Sequence, residues 1–212
     1  MNKALISLFL VLINCRLYSQ NNEAIKSHRF NIEFATNDYS VERSNGNSFY
    51  GPMLTEWSKM PVYAGLSHNY ELSKRVGSII SLGYGRVSGA NPIERFINNG
   101  FYSDLGLRLI PFAKSPSFLN NFYVQITGGY AFTKPERRFV DDGSLNGISG
   151  YKSAFTLGGS TGYEIGISES SKLRIWCGMK MFTDDAFDGW DHGHFSDSYF
   201  QYGMSISVGR KK

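Results

Sequence analysis

Polarity along this chain changes with a period of two. In its last apolar stretch Phe200, Tyr202, Met204, Ile206 and Val208 hold every second position, with Gln201, Gly203, Ser205, Ser207 and Gly209 between them. Successive side chains of a strand point to opposite faces, so one face is apolar and the other small and polar. The same period predicts strands at about Arg29 to Thr36, Pro61 to Leu72, Val76 to Ser88, Phe101 to Phe112, Phe122 to Thr133, Lys152 to Ile167, Lys172 to Thr183 and Ser198 to Gly209. Each is near the roughly ten residues that a tilted strand needs to cross a bilayer.

Parity sorts the side chains. The outward sets are Phe30, Ile32 and Phe34; Ile80, Leu82 and Tyr84; Leu105, Leu107 and Leu109; Phe122, Val124, Ile126 and Tyr130; and Leu173, Ile175, Cys177, Met179 and Met181. The inward sets hold Gly, Ser, Asn and the charges Arg29, Glu33, Glu71, Asp104, Arg108, Glu164, Arg174 and Lys180. A slip of one residue would put those charges into lipid, so the register is strongly specified. A soluble barrel of lipocalin type, with the polar parity outside, is the alternative. Such a surface would carry many charges, whereas here it is largely Gly and Ser. The expected fold is all-β: an eight-stranded antiparallel up-and-down transmembrane β-barrel.

The connections alternate in length. Ser73-Lys74-Arg75 and Ser168 to Ser171 are tight, and Ala113 to Asn121 is intermediate. Asn37 to Met60, Gly89 to Gly100, Lys134 to Tyr151 and Asp184 to Asp197 are long and rich in Gly, Asn, Asp and Ser. Short turns at one end and long loops at the other is the outer-membrane pattern, with turns and termini in the periplasm.

The N-terminus fits that destination. Lys3 precedes an apolar run from Ala4 to Ile13, too short to span and placed where a signal peptide has its hydrophobic region. Cleavage is expected after Ser19, giving a signal peptide over 1–19 and one barrel domain over 20–212; a lipoprotein cut before Cys15 is the alternative. No later run is long enough for a membrane helix, so a membrane-embedded chain must close its sheet. The net charge of +4 includes Lys3 and Arg16, which leave with the signal, and no Lys/Arg run points to nucleic acid. With Cys15 removed, Cys177 has no partner for an intramolecular disulfide.

Met181-Phe182-Thr183-Asp184-Asp185-Ala186-Phe187-Asp188-Gly189, before a final strand ending in Ser207-Val208-Gly209, resembles the barrel domains of OmpA-like outer membrane proteins of the Bacteroidetes type. Gly65-Leu66-Ser67-His68-Asn69-Tyr70-Glu71-Leu72 and Leu82-Gly83-Tyr84-Gly85 are similar to the second and third strands of that group. The resemblance implies an eight-stranded outer-membrane barrel and no reaction. It covers the barrel without the peptidoglycan-binding domain, so that tethering role is not implied.

Candidate chemistry falls in three places. The eight inward charges either pair as a salt-bridge network that fills the lumen or line a gated ion path; an eight-stranded interior is only wide enough for side chains, which favours pairing. Inward glycines leave room for Tyr123 and Trp176. The last connection carries Asp184, Asp185, Asp188, Asp191, His192, His194 and Asp197. These could hold Ca²⁺ through oxygens or Zn²⁺ through His192 and His194, but the spacing matches neither an EF-hand nor a zinc motif, and a solvated acidic loop with an Asp188-Gly189 turn is the simpler reading. Thirdly, His194-Phe195-Ser196 puts an imidazole beside a hydroxyl and faintly resembles the His-x-Ser of PagL-type lipid A deacylases, also eight-stranded barrels. That group has Asn after the Ser where Asp197 stands here, and no orienting acid is identifiable.

Aromatics gather at strand ends (Tyr39, Tyr63, Phe101, Tyr102, Tyr123, Phe132, Tyr151, Trp176, Phe182, Tyr199, Phe200), and those facing outward would form interfacial girdles, while Trp57 and Trp190 sit in loops. A structural or surface-binding barrel is the expected role, with a barrel enzyme acting on lipid or a small channel as alternatives. No cofactor is expected. Outer-membrane lipid is the expected partner, and a second envelope protein remains open.

Overall fold

The computed structural model describes residues 27–38, 43–44, 47–48, 61–90, 94–113, 118–145, 150–168, 170–183 and 198–210. Eight long strands form the wall: β1 (Ser27–Asp38), β2 (Val62–Glu71), β3 (Val76–Ala90), β4 (Glu94–Leu109), β5 (Phe122–Phe139), β6 (Lys152–Gly166), β7 (Ser171–Phe182) and β8 (Ser198–Arg210). Each pairs antiparallel with its sequence neighbours, and β8 returns to β1, closing the sheet. No strand edge is left along the wall, which is the condition for a sheet to sit in hydrocarbon.

Register follows the apolar parity. Ile32 lies opposite Ile206 on one side and Leu66 on the other, Leu82 opposite Leu66, and Ile80 opposite Leu105. All of these point out. Leu66 is 63% exposed, Leu82 62%, Ile126 63% and Ile175 53%. So continuous a band of exposed aliphatic side chains has no stable place in water, and it matches the lipid-facing belt of a transmembrane barrel.

The short turns use one device twice. Ser73 Oγ accepts the amides of Arg75 (3.2 Å) and Val76 (3.1 Å) between β2 and β3. Ser168 Oγ accepts the amide of Ser171 at 3.1 Å between β6 and β7. A serine at the first turn position satisfies amides that the ladder leaves open. The β4–β5 link lies at the same end and includes a single 3₁₀ turn, Phe118–Asn121, whose Phe118 carbonyl accepts the Tyr163 hydroxyl at 2.9 Å.

At the other end the structure corrects two loop assignments. Gly89, Ala90 and Glu94 to Gly100 are strand and not loop: the β3–β4 ladder continues through Arg86↔Asn99, Ser88↔Ile97 and Ala90↔Arg95. Nor does β5 stop at Thr133. It pairs with β4 as far as Phe139↔Glu94, while its pairing with β6 ends at Thr133↔Lys152. Pro135 is the reason the sequence misleads, because a proline inside a central strand would remove a ladder bond. Beyond Thr133, however, β5 has lost β6 and keeps β4 as its strand partner, with a lone bridge from Arg138 to Leu145 at its tip. A strand edge is where proline is tolerated. Strands β3, β4 and β5 thus rise past the apolar belt as a three-stranded extension, and the chain turns back through Gly143 (φ 69°), held by Phe139 N–H to Ser144 O at 3.0 Å.

Aromatics on the outer surface mark where the belt ends below that extension. Tyr84 and Phe101 meet edge-on at 4.9 Å, Tyr130 and Phe155 at 5.5 Å, and Phe132 stacks on Tyr151 at 5.1 Å. Tyr63, Tyr102, Tyr123, Phe182 and Tyr199 point inward and are buried, so they belong to the interior and not to a girdle.

Cys177 is exposed on the outer face of β7, opposite Thr161 and Tyr202. A hydrophobic maleimide will label it in folded vesicles and a charged, impermeant one will not; rapid labelling by the charged reagent would put this face in water. Ile175→Arg, two residues away, will destabilise the barrel by about 2–4 kcal/mol if it lies near the bilayer midplane, measured by urea unfolding in vesicles.

Candidate functional site

The interior is a stack of layers along the barrel axis. Nearest the extension lies an apolar plug of Tyr63, Val87, Phe96, Tyr102, Ala131, Phe182 and Tyr199, with Ala35 and Ala154 packed against it. Rings this large fit because glycine stands opposite them. The Tyr63 ring lies across Gly83, where a Cβ would collide with its hydroxyl. Further along, a Cβ on Gly162 would sit 2.6 Å from the Tyr123 hydroxyl, Gly162 being the direct cross-strand partner of Tyr123. An aromatic over a glycine fills the narrow lumen without leaving a void.

Below the plug the layers are charged. Lys180 Nζ donates to Asp104 Oδ2 at 2.7 Å, both side chains under a tenth exposed, and lies 5.1 Å from the Tyr102 ring centre. The Thr156 hydroxyl donates to Asp104 Oδ1 at 3.3 Å, and the Ser81 hydroxyl reaches Oδ2 at 3.5 Å. Glu33 accepts from the Ser67 hydroxyl, which in turn accepts from Asn31 Nδ2 at 2.7 Å. The next layer centres on Glu164. Arg108 donates to its Oε1, Arg174 Nε donates to the same oxygen at 2.7 Å, and Lys172 reaches Oε2 at 2.6 Å. Arg108 lies 4.5 Å over the Tyr123 ring, and the Asn69 amide oxygen faces the Arg174 guanidinium. At the turn end, Arg29 Nε donates to Glu71 Oε1 at 3.2 Å, and the Ser27 hydroxyl donates to the other carboxylate oxygen.

All eight predicted inward charges therefore occupy the lumen. Seven sit in ion pairs, and Glu33 is held by a hydroxyl instead. A ninth, Lys172, joins them; it reads as a strand end in the sequence, and only the β6–β7 register shows that its ammonium reaches back to Glu164. Between the Asp104 and Glu164 layers lies a cavity of about 60 Å³ lined by Glu33, Gln125, Arg174 and Gln201 among others. That is room for a few waters held by polar walls. The plug on one side and the Glu164 cluster on the other bound it.

The other candidate residues fall elsewhere. Asp184, Asp185, Asp188, Asp191, His192, His194, Ser196 and Asp197 lie outside the described residues, as do Trp57 and Trp190. Among the described residues no three His, Cys, Asp or Glu side chains converge to hold a metal ion.

The extension adds polar residues, all but Arg86 from the stretches that the sequence pattern marks as loops. On its outer face Arg95 stands directly opposite Arg138, and Arg86 Nε donates to Asn99 Oδ1 at 2.7 Å. Lys134 lies 3.3 Å and Arg138 3.7 Å from Glu136, and Arg138 also donates to the Gly143 carbonyl at 2.9 Å. On the strand face itself Arg86, Arg95, Lys134 and Arg138 outnumber Glu136, while the adjoining turn carries the exposed Asp141 and Asp142. The alternation of Lys134, Glu136 and Arg138 was the available signal, and Pro135 masked it.

No protein-family model matches the chain, and no curated protein does. Solved structures do. The fold is similar to that of Ail, the attachment invasion locus protein of Yersinia pestis, in a complex with the heparin analogue sucrose octasulfate; the TM-score is 0.50 at 12% identity over 87% of this chain and 99% of that one. The outer membrane protein OprG from Pseudomonas aeruginosa aligns with a TM-score of 0.45 at 12% identity over 90% and 99% of the two chains, and Neisserial surface protein A with 0.42 at 8% over 86% and 95%. At such identities the likeness to Ail shows the fold: a closed eight-stranded barrel of the outer-membrane type.

The ion pairs differ in what replaces a lost partner. Lys180→Met leaves buried Asp104 facing hydroxyls alone and will cost about 3–5 kcal/mol. Lys172→Met leaves Glu164 with two arginines and removes a side chain 27% exposed, so it will cost no more than about 1 kcal/mol. Equal unfolding midpoints for the two variants in urea would contradict this layered arrangement.

Proposed function

We propose that this chain is a non-enzymatic binding protein of the bacterial outer membrane. The signal peptide over 1–19 exports it, and cleavage after Ser19 leaves the barrel to insert with its short turns and both strand termini in the periplasm. The membrane location is supported by the exposed aliphatic belt, which only a lipid phase can cover. One observation carries the functional reading: the lumen is filled along its length by the aromatic plug and the Asp104 and Glu164 ion-pair layers. Filling of this kind argues against a path for a hydrated ion. Function is thereby directed outward, to the β3–β5 extension and the connections at the same end, Asp184 to Asp197 among them. The OmpA-like likeness of Met181 to Gly189 is compatible with this role, and the basic outer face of Arg86, Arg95, Lys134 and Arg138 suits an anionic surface partner.

The purified barrel will give no steady conductance in planar bilayers. Cells expressing it will keep their lipid A acylation pattern by mass spectrometry. A steady ion-selective current would favour the channel. Loss of an acyl chain that Ser196→Ala restores would favour the deacylase, and either result overturns the binding reading.

A further inference from the structure

On the outer surface at the turn end of the barrel, His28 Nδ1 and His68 Nε2 lie 3.2 Å apart. They come from different strands. His28 is opposite Tyr70 and His68 opposite Phe30, so the two imidazoles are diagonal neighbours on one face, one residue pair apart. Aromatic rings brace both sides: the His28 ring lies 4.9 Å from Tyr70, the His68 ring 4.7 Å from Phe30, and the two imidazoles are 5.3 Å apart at 28°.

We infer that His28 and His68 form a two-histidine site for a divalent transition-metal ion, Cu²⁺ or Zn²⁺ in chemical class. The distance is the first reason. Two imidazole nitrogens each ~2.1 Å from one metal, at an angle between square and tetrahedral, stand about 3.0–3.4 Å apart. The pair already has that spacing, so binding requires little movement. Bracing by Tyr70 and Phe30 is the second reason, because rotamer freedom that the fold has already removed is not lost again on binding. Imidazole is also the side chain that suits this class of metal, with copper held most strongly.

The chemistry constrains the protonation state. With both rings neutral and no metal, one ring N–H donates to the lone pair of the other. For chelation both facing nitrogens must present lone pairs, which puts the protons on His28 Nε2 and His68 Nδ1. Acid competes with the metal for those lone pairs. No third His, Cys, Asp or Glu among the described residues completes the shell, so water or an outside donor fills the other positions. Such a site is open and exchanges its metal, unlike a closed structural zinc site. It is distinct from the Asp184 to Asp197 connection, which leaves from the other end of the barrel.

The chain has four histidines, which makes the test decisive. Untagged mature protein, folded in detergent, is titrated with CuCl₂ and ZnCl₂ alone, and the copper form is read by electron paramagnetic resonance. One equivalent of Cu²⁺ with two nitrogen donors is expected. His28→Gln and His68→Gln will each weaken binding by more than about a hundredfold, the most that losing a residue that only orients a ligand costs. The double variant His192→Gln, His194→Gln will bind as the wild type does. His28 is exposed and His68 half-buried on the outer face, and heat-modifiable migration on gels verifies that each variant is folded. Absence of stoichiometric binding, or binding that follows His192 and His194 and ignores His28 and His68, overturns the site.

Discussion

Closing eight strands on themselves leaves an interior only about one layer of side chains wide, and that constraint governs most of what is seen here. Closure satisfies the strand edges within the apolar belt, which admits the sheet to hydrocarbon, but it also means that each inward position must be balanced in volume and in charge against the strands facing it. Tyr63 is possible because Gly83 is glycine. Asp104 is possible because Lys180, from the opposite part of the wall, meets it at 2.7 Å. A barrel with more strands would hold water in its centre and relax both demands.

The two kinds of filling do different physical work. The aromatic plug excludes water at the extension end by packing alone. The charged layers hold the strands in one register, because shifting any strand by one residue would turn Arg174, Lys180 or Glu164 toward lipid. Ion pairs so deeply placed add little net stability over apolar packing, since removing two charges from water offsets their attraction. Their contribution is selective: misregistered barrels are penalised far more than the native one is rewarded.

Much of this was legible in the sequence, and the limits have physical causes. Period-two alternation located all eight strands, the inward charges and the glycines beneath Tyr123 and Trp176, since parity is a local property. The β3–β5 extension was not legible, because Pro135 and the polar run around Asn98 and Asn99 read as loop; only the end of β6 pairing at Lys152 makes β5 an edge strand there. Lys172 was missed for a related reason, as a long side chain can reach along the wall from a strand end. The proximity of His28 and His68 needed the β1–β2 register across forty residues, which no local pattern encodes. Strand-end location alone does not separate plug from girdle among the aromatics; facing does, and Tyr63, Tyr102 and Tyr199 face inward.

These layers also determine where sequence change is tolerated. A substitution in the lumen meets a facing glycine, ring or counter-charge, and the mismatch costs several kcal/mol. One on the aliphatic belt is free to vary among apolar residues but closed to charge. On the extension's outer face Arg95, Lys134, Glu136 and Arg138 are partly solvated, and changes at such positions usually fall within about 0.5 kcal/mol. That surface stands on a wall whose stability does not depend on it. The chemistry of the extension's outer face can therefore change while the fold beneath is held fixed, because the wall and the lumen layers do not depend on it.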